Sequence, residues 1–234
     1  MLLERLRADV VRVCGELASA GLVVGTAGNV SARAGDLVAV TPSGVDYAEL
    51  TAELVGVHRL DGTAVQAPLR PTTEMPLHLG VYAATDAAAI VHTHSVAATA
   101  LSALADELPA IHYYVAMFGG PVAVAPYAIY GSDQLARNVV AALRERTACL
   151  MANHGAVITG ADLRSALAGS RYLEWLCEVY LRALAAGGSQ SSPRLLPADE
   201  IALVAGQLAG YGQQVPGQSD QQGRDRRRPD EEPG

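Results

Sequence analysis

The chain has 234 residues, 50% hydrophobic and only 18% charged, enough apolar material for one sizeable core without a second domain. A formal net charge of -7, with no arginine stripe in the folded region, excludes a reader of nucleic-acid phosphates. Three scattered cysteines, Cys14, Cys149 and Cys177, exclude a disulfide framework and a CxxC metal knuckle, so a reducing, cytoplasmic setting is expected.

Charges at Glu4, Arg5, Arg7 and Asp9 interrupt any hydrophobic leader at the start. Leu3, Leu6, Val10, Val13 and Leu17 recur at three- and four-residue steps, which predicts an amphipathic helix ending near Gly21. Residues 25–31 mix glycine with small polar side chains and read as a loop whose backbone N–H groups face outward. A short strand over 37–41 is followed by a turn at Thr41-Pro42-Ser43-Gly44. Asp61-Gly62, flanked by strand-like 54–60 and 63–66, is the strongest hairpin signal in the chain. A threonine hydroxyl of Pro71-Thr72-Thr73-Glu74 is expected to cap the next helix, with Glu74 in its first turn and the end near Ala84.

Residues 88–94 read as a buried strand and 95–104 as a helix; Asp86, His92 and His94 make a membrane span over 81–104 costly, and no membrane partner is expected. Residues 122–125 and 149–151 are strand-like, Ser132 or Asp133 caps a helix to Arg146, and Asn153-His154-Gly155 separates two strand-like pieces. Residues 162–186 carry the longest helical period, closed by Gly187-Gly188. From Gly212 the apolar period is gone, so the expected division is a catalytic domain over 1–211 and a disordered tail over 212–234. Strands interleaved with helices make a layered α/β domain.

His92 and His94 leave the same face of a strand and can share one metal ion. An isolated HxH is more often two satisfied core histidines, roughly two times in three. Two more features shift that balance: His154 in a glycine-containing turn and Glu74 at a helix start. Three imidazoles and a carboxylate suit zinc, one ion per chain, with manganese, cobalt or nickel also compatible. Gly28-Asn29, Ser43-Gly44 and Thr72-Thr73 can converge on one phosphate, whereas residues 25–31 match neither the dinucleotide fingerprint nor the P-loop.

Taken in order, Gly25 to Ser31, Thr41-Pro42-Ser43-Gly44, Pro71-Thr72-Thr73-Glu74, His92-Thr93-His94, Ala125-Pro126-Tyr127 and Asn153-His154-Gly155 resemble the class II aldolase/adducin-head family, in particular its bacterial L-fuculose-1-phosphate aldolase branch. The resemblance runs from Leu3 to about Tyr211. It implies a three-layer α/β/α fold around a mostly antiparallel sheet, assembled as a homotetramer with sites between subunits. It also implies zinc on His92, His94, His154 and Glu74, with Glu74 the acid/base of turnover. Gly28, Asn29, Ser43, Gly44, Thr72 and Thr73 become the phosphate loops, and Tyr113 and Tyr211 the active-site tyrosines.

The expected reaction is metal-dependent cleavage or formation of a ketose 1-phosphate, giving dihydroxyacetone phosphate and an aldehyde through a zinc-stabilised enediolate. The sequence contains no lysine, so the imine route is closed. Two alternatives share the scaffold, a sugar-phosphate 4-epimerase and a methylthioribulose-1-phosphate dehydratase; epimerases of the family carry aspartate where this chain has Glu74. A third is a non-catalytic adducin-head-like binding module, against which the three histidines and Glu74 stand.

Overall fold

A computed structural model describes residues 1–188 and 191–208. Among these residues nine strands form one sheet: β1 Asn29–Ala34, β2 Leu37–Val40, β3 Gly56–Arg59, β4 Ala64–Gln66, β5 Ala89–Thr93, β6 Glu107–Leu108, β7 Val122–Ala125, β8 Ala148–Met151 and β9 Gly155–Gly160. Their order is β4-β3-β2-β1-β5-β9-β8-β7-β6, antiparallel throughout except for β7 beside β8. Among the described residues six α-helices accompany it: α1 Glu4–Ser19, α2 Met75–Ala84, α3 Val96–Ser102, α4 Asp133–Ala142, α5 Leu163–Gly187 and α6 Ala198–Leu208. A 3-10 helix spans Tyr113–Phe118.

The layers follow from side-chain alternation along the strands. In β1, β2 and β5, Val30, Ala32, Ala39, Ala89 and Val91 pack with Val10, Val13 and Leu17 of α1 and Leu163, Ala166 and Leu167 of α5. The neighbouring Val38, Val40 and Ile90 point the other way, joining Leu77 and Val81 of α2 and Leu135 and Val139 of α4. Farther along the first face, Leu150, Ala156 and Ile158 meet α3, the 3-10 helix, the later half of α5, and Ile201 of α6. The result is the expected three-layer α/β/α arrangement around a mostly antiparallel sheet. No helix among the described residues is long and apolar enough to cross a membrane.

Most expected elements occur, and the departures have physical causes. The loop expected over 25–31 ends at Gly28: Asn29 to Ala34 is a strand, held by β2 on one edge and β5 on the other. Asn29, Ser31, Ala32 and Ala34 have little intrinsic preference for a strand, so the flanking ladders decide it. The helix expected to reach Arg146 stops at Ala142, and Glu145 adopts a left-handed φ of 59° just beyond. Glu74 is the N-cap residue of α2 and not in its first turn; no side chain caps α2, and Thr72 Oγ1 accepts from the Glu74 N–H instead. Ser132, one of the two expected candidates, caps α4, and Asp162 caps α5, each accepting from the third residue on. The two-residue edge strand β6, the 3-10 helix and α6 are not among the expected elements, although Ile201, Val204 and Leu208 recur at helical spacing in α6 and pack on the core. The tail expected over 212–234 lies outside the described residues.

Candidate active site

The site forms where β5 ends. His92 lies in β5, fully buried, and His94 follows just past it. Antiparallel pairing of β5 with β9 sets Thr93 opposite Ala156, which brings the Asn153-His154-Gly155 turn alongside. Asn153 takes a left-handed φ of 54° to make that turn. A Cβ on Gly155 would collide with the Thr93 carbonyl oxygen, so only glycine lets this backbone approach and seat His154 against His94. Gly28 acts similarly on the other flank: at φ +86° it lies against the His92 carbonyl, 2.8 Å from where its Cβ would be.

The three imidazoles pack edge to face, ring centroids 4.7 to 4.9 Å apart, with candidate ligand atoms all within 4.8 Å of one another. His92 Nδ1 donates to the Ala156 carbonyl at 2.9 Å, which leaves Nε2 aimed into the cluster. There Nε2 meets Glu74 Oε2 at 3.1 Å and His94 Nε2 at 2.9 Å. His154 Nε2 lies 3.6 Å from Glu74 Oε1, an oxygen that is buried without a hydrogen-bond partner. So many inward acceptors demand a positive charge at their centre, either a proton on His92 or a metal ion in its place.

The titration tendencies express the same demand. Burial alone would lower His92, but the facing Glu74 carboxylate and the bonds to Glu74 and Ala156 raise it above its usual value. Burial would raise Glu74, yet the charge and hydrogen bond of His92, the Asn29 amide and His154 hold it well below the usual carboxylate range. Burial, together with His92 and His154, pushes His94 down to about 4, and burial with His92 lowers His154. Two neutral imidazoles and a carboxylate anion are ready to bind a cation, and His92 would give up its Nε2 proton to a metal ion that took its place.

A cleft of about 470 Å³ opens over this cluster. Gly28, Asn29, Ser43, Gly44, Thr72, Thr73, Glu74, His94 and His154 all line it, so the predicted phosphate segments and metal-site residues converge on one cavity. His92 stands behind the wall. Thr72 N–H donates to the Thr41 carbonyl and Ser43 N–H to that of Arg70, and a bridge joins Pro42 to Pro71, which ties two of the segments together. Tyr113 is not on the cleft wall; it sits at the start of the 3-10 helix, 42% exposed, stacked on His112. Tyr211 lies outside the described residues.

Several lining residues are ones to which the sequence motifs assign no role. Thr26, Asn153 and Tyr127 belong to named motifs that give them no role of their own. Tyr130 reaches the cleft because Gly131, at φ +73°, packs against the Thr73 carbonyl, where a Cβ would come within 2.7 Å. His78 is likewise unmarked by any motif: it sits inside α2, fully buried, and is bonded to Asn29. An apolar-faced helix gives no local sign that one of its histidines serves a site.

Residues 8–181 match the family described as Class II Aldolase and Adducin N-terminal domain. The chain is 36% identical over 217 residues to 5-deoxy-D-ribulose 1-phosphate aldolase of Bacillus thuringiensis, covering 92% of this chain and 100% of that protein. It is 36% identical over 214 residues to L-fuculose phosphate aldolase of Escherichia coli K12, covering 91% and 98% respectively. A solved L-fuculose 1-phosphate aldolase superposes with a TM-score of 0.84 at 33% identity, over 88% of this chain and 96% of that one. Agreement of this extent across fold and site motifs shows that the chain belongs to the class II aldolase and adducin family, as an enzyme of its aldolase side, a carbon–carbon lyase.

Proposed function

We propose that this enzyme cleaves or forms a ketose 1-phosphate, with dihydroxyacetone phosphate and a small aldehyde as the other side of the reaction. The observation that carries the reading is the convergence of His92, His94, His154 and Glu74 at the floor of a cleft rimmed by three glycine and hydroxyl segments. Those four residues would hold zinc or another divalent ion, one per chain. When bound, the ion would act as a Lewis acid toward the substrate carbonyl.

The remaining work falls to the chain. The segments carrying Gly28, Asn29, Ser43, Gly44, Thr72 and Thr73 bind and orient the phosphate, fixing the reacting carbon over Glu74. Glu74 is held as an anion with one oxygen free of hydrogen-bond partners, the state a base needs to take the proton from the carbon beside the carbonyl. With no lysine in the sequence, no side-chain amine competes by forming an imine. The names of the relatives, deoxyribulose and fuculose phosphate aldolases, support a deoxy sugar phosphate as substrate.

Tyr113 fits this chemistry as a donor to the aldehyde oxygen only from a neighbouring subunit, since in its own chain it faces outward with Tyr172 and Trp175. That exposed aromatic group supports assembly as a homotetramer with sites between subunits. The deciding experiment is metal analysis followed by assay of dihydroxyacetone phosphate release from L-fuculose, 5-deoxyribulose and 5-methylthioribulose 1-phosphates. Metal-dependent release from at least one is expected. Epimerised or dehydrated product without carbon–carbon cleavage would assign the scaffold to another reaction.

A further inference from the structure

Behind Glu74 runs a chain of buried hydrogen bonds that the reaction as described does not use. Asn29 Nδ2 donates to Glu74 Oε2 at 2.8 Å, and Asn29 Oδ1 contacts His78 Nε2 at 2.5 Å. On the far side of the ring, His78 Nδ1 meets Ser31 Oγ at 2.7 Å, and Ser31 Oγ meets the Tyr82 hydroxyl at 2.7 Å. All five residues are buried, at 0% exposure for Ser31 and His78 and at most 4% for the rest.

Only one direction of donation satisfies the whole chain. Ionised Glu74 accepts and cannot donate, so Asn29 must turn its NH₂ toward it and leave Oδ1 for His78. Oδ1 only accepts, so His78 carries its proton on Nε2 and accepts at Nδ1. Ser31 then donates to Nδ1 and receives the Tyr82 hydroxyl proton. The other His78 tautomer would set its bare Nε2 against Asn29 Oδ1, and flipping Asn29 to relieve that would set Oδ1 against the Glu74 carboxylate, acceptor to acceptor in a buried place.

We propose that His78 is a positioning residue for Glu74: its Nε2–H pins the Asn29 carboxamide with the NH₂ toward the carboxylate, and Ser31 and Tyr82 fix the His78 tautomer that does so. The inference rests on the reading of Glu74 as the base. Burial also presses the His78 pKa down to about 3, so the ring stays neutral through the working range.

Two substitutions at one position separate positioning from packing. His78→Gln places an amide donor near the old Nε2 and keeps the bond to Asn29, whereas His78→Asn reaches only as far as the old Nδ1 and keeps the bond to Ser31. Turnover should stay within about threefold of wild type in His78→Gln and fall about tenfold or more in His78→Asn, with KM and metal content little changed in either. Equal losses in the two, or no loss in either, would overturn the proposal. Where His78→Asn does not fold, Ser31→Ala tests the same tautomer control, with an expected loss of about threefold to tenfold in turnover; unchanged turnover there would also overturn it.

A second readout is independent of activity. In zinc-free protein the two Asn29 carboxamide protons should give widely separated NMR signals, one bonded to Glu74, retained in His78→Gln and merged or shifted in His78→Asn. Should wild type release no dihydroxyacetone phosphate from any substrate tested, the aldolase reading fails, and these signals alone decide whether His78 orients Asn29. Identical amide signals in wild type and both variants would refute that.

Discussion

The six histidines divide between two regions that use the same side chain for different ends. At the end of β5, His92, His94 and His154 turn ring nitrogens toward one another at the floor of the cleft, and His78 braces the carboxylate they face. At the sheet margins, His58 Nδ1 lies 3.3 Å from the Gly62 carbonyl of the β3–β4 hairpin, and His112 accepts from the Tyr114 N–H to cap the 3-10 helix. The marginal pair holds backbone, which any equivalent polar group can do. The central set creates an unmet need for positive charge, and an unmet electrostatic need marks a site more reliably than residue type.

That contrast is open to direct attack. The largest effect is expected from His92→Ala or His154→Ala, each leaving an incomplete shell: metal analysis should show the ion lost and cleavage abolished, whereas His112→Ala should retain a full complement of metal. Full metal retention in both central variants would place the ion elsewhere. Glu74→Gln should keep the metal through the three imidazoles and lose on the order of a hundredfold in turnover, because the amide cannot move the proton. Exchange of the dihydroxyacetone phosphate proton with solvent deuterium should fall with it, since that step needs no aldehyde.

A smaller effect distinguishes Tyr113 from the central residues. Tyr113→Phe is expected to slow cleavage about tenfold while leaving proton exchange unchanged, since a donor to the aldehyde oxygen acts only when the aldehyde is present. Mixed oligomers of Tyr113→Phe and Glu74→Gln subunits should recover activity if the tyrosine serves a neighbouring cleft; no recovery on mixing would assign it to packing.

The smallest prediction concerns stability in the metal-free protein. His78 has a folded pKa lowered to about 3 by burial, so between there and an unfolded value of about 6.5 the unfolded chain binds a proton that the folded chain does not. Stability from this group therefore falls as pH drops through that window, by about 1.4 kcal/mol per pH unit, and is unaffected above it. His78→Gln should flatten the decline in denaturation midpoint between pH 6.5 and 5 relative to wild type. An unchanged slope would mean that His78 titrates normally.

Much of this is legible in the order of amino acids. The spacing of Leu3, Leu6, Val10, Val13 and Leu17 specifies α1, and the period over 162–186 specifies α5, because helical burial is written in local repeats. The order of glycine, hydroxyl and histidine motifs points to the family and to the ligand types, since chemistry restricts which residues can coordinate or cradle an anion. Strand β1 is less legible in this way, for Asn, Ser and Ala favour strands little and two flanking partners hold it.

What the tertiary structure alone decided was direction and partnership. His92 owes its inward lone pair to the Ala156 carbonyl, 64 positions away, and Glu74 owes its hydrogen bond to Asn29, 45 positions away. His78 reads in sequence as one more residue of an apolar helix, and only the fold closes its ring between Asn29 and Ser31. Composition and periodicity fix which face of an element is buried, because hydrophobic burial is non-directional and local in pattern. They are silent on which buried polar groups meet, because hydrogen bonds are directional and their partners are set by closure of the whole sheet.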